Sequence, residues 1–141
     1  MVNGQPVTPK IENGYAVIRR VWKKGDKIDV VLPMEIQRVT PDGKIEADKG
    51  RVALRFGPLI YNVETADHQD ISKAIGSGAL SLEWRGDLLK GVMTIKGIWA
   101  DGTPLLAIPN YARLNRDVKP TPLPQETPDR TPSSIIWIKK E

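Results

Sequence analysis

Residues 51–63 read R-V-A-L-R-F-G-P-L-I-Y-N-V and form the most apolar run of the chain. Apolar and mixed side chains alternate on both sides of the central Gly57-Pro58, which is the pattern of a strand with one buried face. A proline removes one ladder donor, so it occurs at an edge, a bulge or a change of strand. The stretch therefore predicts one long strand that bends at Gly57-Pro58 and serves two sheets of a sandwich.

Short alternating segments separated by turn residues continue along most of the chain. They predict strands at residues 7–11, 15–22, 27–34, 35–40, 79–85, 92–100, 103–108 and 135–138. Helical spacing is confined to Ile71 and Ile75, so little helix is expected. These patterns predict an all-β protein, an antiparallel jelly-roll-like β-sandwich of about nine or ten strands.

The length of 141 residues fits one domain or two very small ones. We expect a single β-sandwich module over residues 1–141, with halves at 1–66 and 67–141; the alternative is that the two halves are separate small domains. Residues 117–133 carry five prolines and almost no apolar side chain. This composition predicts a stiff, extended, proline-rich loop between two fixed points.

Composition excludes several classes of function. The net charge of +4 comes from 21 basic and 17 acidic residues that are scattered, which does not favour a nucleic-acid partner. The chain has no cysteine and one histidine, His68, so the sequence offers no disulfide, no metal site and no cofactor motif. The sequence contains no apolar run long enough to predict a membrane-spanning helix, and no signal peptide is visible in it. These features do not identify the cellular compartment.

Catalytic patterns are also weak. Carboxylate pairs for glycoside hydrolysis can be drawn from Glu46, Asp48, Glu64 and Glu83, but none of these lies in a distinctive motif. His68 has no companion motif for a serine hydrolase. We therefore expect no catalytic residue in this chain.

Binding by aromatic side chains is the stronger possibility. Trp22, Trp84, Trp99, Trp137 and Tyr111 are large flat groups on which sugar rings can stack. The favoured alternative is that they fill a core or an interface. Trp84 and Trp99 are the best candidates for sugar binding because each lies beside a predicted turn.

A polar cluster follows the strand predicted at residues 103–108. Asn110, Tyr111, Asn115 and Arg116 bring amide, phenol and guanidinium groups together. The cluster is interpreted either as a structural loop, which is the favoured alternative, or as a contact surface.

Three ordered motifs resemble a known family. They are G-Y-A-V-I-R-R-V-W-K-K-G-D-K-I-D-V-V-L-P-M at residues 14–34, E-A-D-K-G-R-V-A-L-R-F-G-P-L-I-Y at 46–61 and A-I-P-N-Y-A-R-L-N-R at 107–116. Together with the final apolar strand at 135–138, they resemble the region that follows the barrel in bacterial beta-L-arabinofuranosidases of glycoside hydrolase family 127. Asn110 and Arg113 stand where that family has aromatic residues, so the role of that aromatic pair is changed here.

The resemblance implies an N-terminal catalytic (α/α)6 barrel, with an acid and a zinc-bound cysteine nucleophile, followed by β-sandwich domains. This chain contains neither the barrel nor a cysteine. No catalytic residue is therefore carried over, and the chain resembles the C-terminal sandwich part of such an enzyme.

The expected function is that of a non-catalytic accessory domain of a bacterial glycoside hydrolase. The resemblance implies that it packs on the catalytic barrel and, as in relatives, contributes to contacts in a homodimer; Trp22, Trp99 and Tyr111 are the expected interface residues. The alternative is a carbohydrate-binding module that binds polysaccharide. Its site residues would be Trp84, Trp99, Tyr111, Asn110 and Arg116. An autonomous hydrolase is the weakest hypothesis.

Overall fold

The computed structural model describes residues 1–116 and 133–141. Apart from Ser133, the proline-rich loop predicted at residues 117–133 lies outside these described residues. The chain divides into two compact units, Met1–Pro33 and Met34–Glu141. Residue 66, the boundary expected between two halves, lies inside the second unit.

The unit Met1–Pro33 contains one two-stranded sheet. Strand β1 (Lys10–Glu12) pairs antiparallel with strand β2 (Tyr15–Val17). The turn between them is Asn13-Gly14, whose φ angles are 51° and 83°. Two positive φ values in a two-residue turn are typical of type I′ hairpins and explain the Asn-Gly pair.

Of the strand predicted at residues 15–22, only Tyr15–Val17 is formed, and the strand predicted at residues 27–34 is not formed. After β2, this unit has only a single bridge, from Val2 to Ile28. The side chains that were expected to form the buried face are exposed, including Val30 and Leu32. The prediction was wrong for these residues because a strand also needs neighbours that complete its ladder and cover its apolar face.

The unit Met34–Glu141 is built on a nine-stranded sheet. Its strands in the described residues are β3 (Ile36–Val39), β4 (Arg51–Phe56), β5 (Leu59–Glu64), β6 (Ala74–Ile75), β7 (Ser81–Arg85), β8 (Val92–Ile98), β9 (Pro104–Pro109), β10 (Ser134–Ile135) and β11 (Ile138–Lys140). The main path is β6-β11-β4-β5-β9-β8-β7, with β3 paired to β4 and β10 to β5. The pair β6–β11 is parallel and the other pairs are antiparallel. Ile75 of β6 also bridges to Trp99, just after β8, so the sheet turns back on itself.

The central stretch, residues 51–63, is a β-hairpin and not one bent strand. Strands β4 and β5 run antiparallel, with Phe56 opposite Leu59. Gly57 has a φ of 55°, and the following Pro58 is confined to negative φ, a combination that matches a type II′ turn. The prediction of a bend was wrong because Pro58 lies in the turn, where it has no ladder bond to lose.

The central stretch contributes four residues to the core of this unit. Val52 and Leu54 of β4 and Tyr61 and Val63 of β5 belong to one buried cluster. The same cluster includes Trp99, which is the largest fully buried side chain. The apolar run therefore has the central place that its composition predicts, although with a different chain path.

Helix is limited, in the part of the chain that the structure describes, to the 3₁₀ turns Glu46–Asp48 and Asn110–Ala112. The all-β prediction is confirmed, while the jelly-roll-like connectivity stays a prediction. None of the described helices has the length and apolar character needed to cross a membrane.

Gly57→Ala is expected to lower the free energy of unfolding of the second unit by about 1–2 kcal/mol, because a residue with a Cβ is strained in the left-handed region. A Cβ at this position would also collide with Met34 Sδ. Gly43→Ala is a matched control, since Gly43 has open space around it and no positive φ. The urea concentration at the unfolding midpoint is measured for both variants. Equal midpoints for Gly57→Ala and Gly43→Ala would contradict the left-handed turn at Gly57.

Candidate functional site

Arg116 binds two carboxylates that follow or end strand β5. Its Nη2 lies 2.6 Å from Glu64 Oε2 and 2.5 Å from Asp67 Oδ2, and its Nη1 lies 2.6 Å from Asp67 Oδ1. The side chain of Glu64 is only 1% exposed and that of Arg116 is 14% exposed. The arrangement is a buried ion network with a bidentate guanidinium–carboxylate pair.

Glu64 joins three segments of the chain. Its Oε1 accepts hydrogen bonds from Leu114 N at 2.7 Å and from Asn62 Nδ2 at 3.1 Å. Asn62 Nδ2 also lies 3.1 Å from the hydroxyl oxygen of Ser134, in strand β10. The hydrogen bonds that Arg116 donates to Asp67 and to Glu64, with that to Asp67 having the larger effect, raise the pKa of Arg116 above its usual range. The network therefore connects β5, β10 and the segment after β9.

His68 and Trp99 form a second buried contact. The rings meet edge to face, with centroids 5.3 Å apart and an interplanar angle of 88°. Trp99 Nε1 lies 3.4 Å from His68 Nδ1, and His68 Nε2 lies 2.9 Å from the carbonyl oxygen of Leu106. Because an indole can only donate, Nδ1 accepts from Trp99, and Nε2 is then the protonated nitrogen, which donates to the Leu106 carbonyl oxygen. Leu106 N also lies 3.3 Å from Nε2.

Trp99 was expected to be available for sugar or partner binding. Its side chain is 1% exposed and belongs to the core, so this expectation is not met. The turn beside Trp99 is present, but the ring points to the interior.

Trp84 is an exposed aromatic group on an edge strand. It is 61% exposed and lies on β7, which pairs only with β8 in the described residues. A Cβ on Gly91 would collide with two atoms of its six-membered ring, so the indole lies directly against the Gly91 backbone. Part of the six-membered ring is therefore packed against Gly91, while most of the side chain is accessible.

The loop that supports Trp84 has an unusual backbone. Leu89, Lys90 and Gly91 have φ angles of 48°, 66° and 116°. The start of the loop is held by Arg85, whose guanidinium donates two hydrogen bonds to Asp87, at 2.8 and 2.6 Å. These bonds lower the pKa of Asp87 to about 2. Positive φ values at residues other than glycine are uncommon and occur often at functional positions.

The four residues of the polar cluster predicted after β9 do not lie together in the structure: three are exposed and Arg116 is largely buried. Asn110 and Tyr111, on the 3₁₀ turn, are exposed, and Tyr111 is 64% exposed. Asn115 is also exposed. Arg116 instead turns inward to Glu64 and Asp67, so it is a structural residue and is not positioned beside Tyr111 to contact a ligand.

The two remaining tryptophans lie in different environments. Trp22 is partly exposed, and the guanidinium carbon of Arg20 lies 5.1 Å from its ring centroid, in a cation–π contact. Trp137 is half-buried, and its carbonyl oxygen accepts a hydrogen bond from Arg51 Nη1 at 3.1 Å.

An open pocket of about 220 Å³ lies beside His68 and includes Asp67, Lys73 and Thr103. Most of its polar groups already have partners: Asp67 binds Arg116, and Lys73 Nζ lies 2.7 Å from Asp101 Oδ2. Among the described residues, no three His, Asp or Glu side chains are grouped so that they could hold a metal ion. The pocket therefore presents no assembled catalytic or metal-binding set.

Sequence reasoning missed the role of Glu64 and Asp67 as partners of Arg116. One signal was present, because Glu64 follows the apolar strand residues of β5 directly, and a carboxylate in such a position needs a cation. The identity of that cation could not be read from the sequence, since Arg116 lies 52 positions further along the chain.

Two family models match the chain. The model of the glycoside hydrolase family 127 C-terminal domain matches residues 36–122. The model of the beta-L-arabinofuranosidase GH127 middle domain matches residues 1–34. The border between the two matches falls at the border between the two compact units of the structure.

Known proteins give the same result. A non-reducing end beta-L-arabinofuranosidase of Bifidobacterium longum is 28% identical over 102 residues, which cover 67% of this chain and 15% of that protein. A GH127 beta-L-arabinofuranosidase structure from Geobacillus stearothermophilus T6 matches with a TM-score of 0.79 and 27% identity. A second GH127 beta-arabinofuranosidase structure has the same TM-score and identity. The two structures match all of this chain, which covers 24% and 23% of their lengths.

Proposed function

Because the chain belongs to glycoside hydrolase family 127, we propose that it is a non-catalytic accessory region of a larger glycoside hydrolase that acts on beta-L-arabinofuranosides. In this proposal residues 36–122 supply the C-terminal domain and residues 1–34 supply part of the middle domain. The chain spans 24% of the length of the matching GH127 structure from Geobacillus stearothermophilus. The remainder would contain the catalytic barrel on which this region packs.

The observation that carries the proposal is that both oxygens of the buried Glu64 carboxylate already accept hydrogen bonds from the protein. Hydrolysis of a glycosidic bond uses two carboxyl groups that face the substrate, one as acid and one as base or nucleophile. Glu64 is the one buried carboxylate among the described residues, and both of its oxygens are occupied by Arg116, Leu114 and Asn62. Its position supports a structural role for this carboxylate and not the role of an acid or nucleophile that faces a substrate.

The non-catalytic role is tested by assaying the 141-residue chain on a p-nitrophenyl beta-L-arabinofuranoside. The Bifidobacterium longum relative is the positive control. We expect no release of nitrophenol above the uncatalysed rate from this chain, and the full rate from the control. Turnover by this chain that persists through purification would overturn the proposal.

The accessory role is tested separately in the genome, by reading the frame upstream of the Met1 codon. A long in-frame sequence with the pattern of helical hairpins is the expected result. A stop codon directly before a start at Met1 would count against the accessory role and favour a protein that acts alone.

The second candidate function is carbohydrate binding, and Trp84 is the observation that favours it. A largely exposed indole that is held in place by packing against Gly91 is suited to stacking on a sugar ring. Tyr111 is also exposed, whereas Trp99 and Arg116 are buried and partnered.

Trp84→Ala is expected to weaken binding to a soluble arabinan by about twofold to tenfold, which is the range of an aromatic contact. Affinity gel electrophoresis provides the measurement, and Trp22→Ala is the control because it changes a partly exposed tryptophan in the other unit. Equal retardation of wild-type and Trp84→Ala protein would exclude Trp84 as the sugar platform.

A further inference from the structure

Two Asn-Gly pairs lie in turns of the unit Met1–Pro33, at Asn3-Gly4 and at Asn13-Gly14. Both residues of each pair have positive φ angles, 50° and 75° in the first pair and 51° and 83° in the second. Both pairs are exposed, and the space beside each glycine is open. The local sequence, the turn conformation and the access to water are therefore nearly the same at the two pairs.

The side chain of Asn3 is held at both ends of its amide group. Its Nδ2 donates to Asp26 Oδ1 at 2.8 Å, and its Oδ1 accepts a hydrogen bond from Lys27 N at 2.8 Å. Its backbone nitrogen donates to the Lys27 carbonyl oxygen at 2.9 Å. The hydrogen bonds that Asp26 accepts from Lys23 N and from Asn3 lower the pKa of Asp26, so this carboxylate stays ionised as an acceptor. Rotation of the Asn3 amide would therefore break two hydrogen bonds.

The side chain of Asn13 has no such contacts. Among the described residues, the hairpin is held by the ladder of β1 and β2 and by hydrogen bonds from Arg19 to Glu12, and none of these involves the Asn13 amide. The Gly14 nitrogen likewise donates to no backbone carbonyl in this part of the chain. A two-stranded sheet with three residues in each strand also opens readily. The Asn13 amide carbon and the Gly14 nitrogen are therefore free to approach each other.

We propose that Asn13 is a site of spontaneous deamidation, and that Asn3 is protected from the same reaction by its hydrogen bonds. The Gly14 nitrogen, after losing its proton to base, attacks Asn13 Cγ. The bond from Cγ to Nδ2 breaks, and ammonia leaves with a proton taken from water. Glycine favours this step because it has no side chain to obstruct the approach. Water then opens the cyclic imide, at Cγ to give aspartate or at the main-chain carbonyl carbon to give isoaspartate.

The two products differ in their effect on the hairpin. Isoaspartate adds one carbon atom to the main chain, so a two-residue type I′ turn can no longer place Glu12 opposite Tyr15. Aspartate keeps the main chain and adds a negative charge next to Glu12, which already pairs with Lys10 at 3.1 Å and with Arg19 at 3.2 Å. The isoaspartate form is therefore expected to lose the pairing of β1 with β2, whereas the aspartate form keeps it.

The test keeps the 141-residue chain in mildly alkaline buffer and follows the loss of each amide over time. Trypsin cleaves after Lys10 and Arg19, so residues 1–10 and 11–19 give separate peptides that each contain one Asn-Gly pair. Mass spectrometry measures the fraction of each peptide in which the amide has become an acid. We expect the rate at Asn13 to exceed that at Asn3 by about tenfold or more, because two hydrogen bonds must first break at Asn3. In concentrated urea, where neither turn is formed, the two rates should become similar.

Asp26→Ala removes one partner of the Asn3 amide, so it is expected to raise the rate at Asn3 and to leave the rate at Asn13 unchanged. Asp29→Ala is the matched control, because Asp29 is bound to the chain start only through main-chain atoms. Equal rates at Asn3 and Asn13 in the folded wild-type chain would overturn the proposal, as would an intact amide in the peptide 11–19. A rate at Asn3 that Asp26→Ala leaves unchanged would also contradict it, because the hydrogen bonds would then not be the protecting feature.

Discussion

Replacing Trp99 by alanine is expected to lower the free energy of unfolding of the second unit by about 3–5 kcal/mol, the usual cost of removing a large buried aromatic side chain. Trp99 is the largest fully buried side chain, and it also donates to His68. The free energy of unfolding of an ordinary domain is about 5–15 kcal/mol, so the variant would lose a large part of its stability. Urea denaturation followed by circular dichroism provides the measurement.

Trp84→Ala is the matched control, because it makes the same chemical change at a side chain that is mostly exposed. Its effect is expected to stay within about 1 kcal/mol, as for most surface substitutions. If the two variants unfolded at the same urea concentration, the assignment of Trp99 to the core and of Trp84 to the surface would be wrong.

Arg116→Met is the second change with a large expected effect, about 3–5 kcal/mol of lost stability at pH 7. This is the typical cost of removing one partner from a buried ion pair. Methionine fills much of the space of the arginine side chain but leaves the Glu64 carboxylate buried without its cation. The free energy of unfolding is measured by urea denaturation at pH 7.

The double variant Glu64→Gln/Arg116→Met is expected to be more stable than Arg116→Met alone, because no charge stays buried beside Leu114. A deficit that is unchanged in the double variant would show that only packing is lost.

These two predictions also explain the motif A-I-P-N-Y-A-R-L-N-R in physical terms. Ala107 and Ile108 of β9 and Ala112 of the 3₁₀ turn are buried, while Arg116 closes the ion network. In this chain the motif therefore anchors the end of β9 to β5. Asn110, Tyr111, Leu114 and Asn115 are members of the motif whose side chains are exposed.

The candidate site could be predicted only in part from the sequence. Aromatic side chains were identified as the groups of interest, and Trp84 and Tyr111 are indeed exposed. The sequence could not separate Trp84 from Trp99, because both lie near turns at the ends of alternating strands. Their burial depends on which face of the sheet is covered, and this is set by contacts between residues far apart in the chain, such as the bridge from Ile75 to Trp99.

The amino-acid sequence by itself determined the all-β class, the central position of residues 51–63 and the resemblance to glycoside hydrolase family 127. Alternation, turn residues and local motifs act over a few neighbouring positions, so they can be read directly. The tertiary structure alone decided that Gly57-Pro58 closes a hairpin, that Arg116 meets Glu64, and that residues 21–32 lie uncovered. Each of these depends on contacts between residues far apart in the chain, or on the lack of them, and such contacts leave no local pattern.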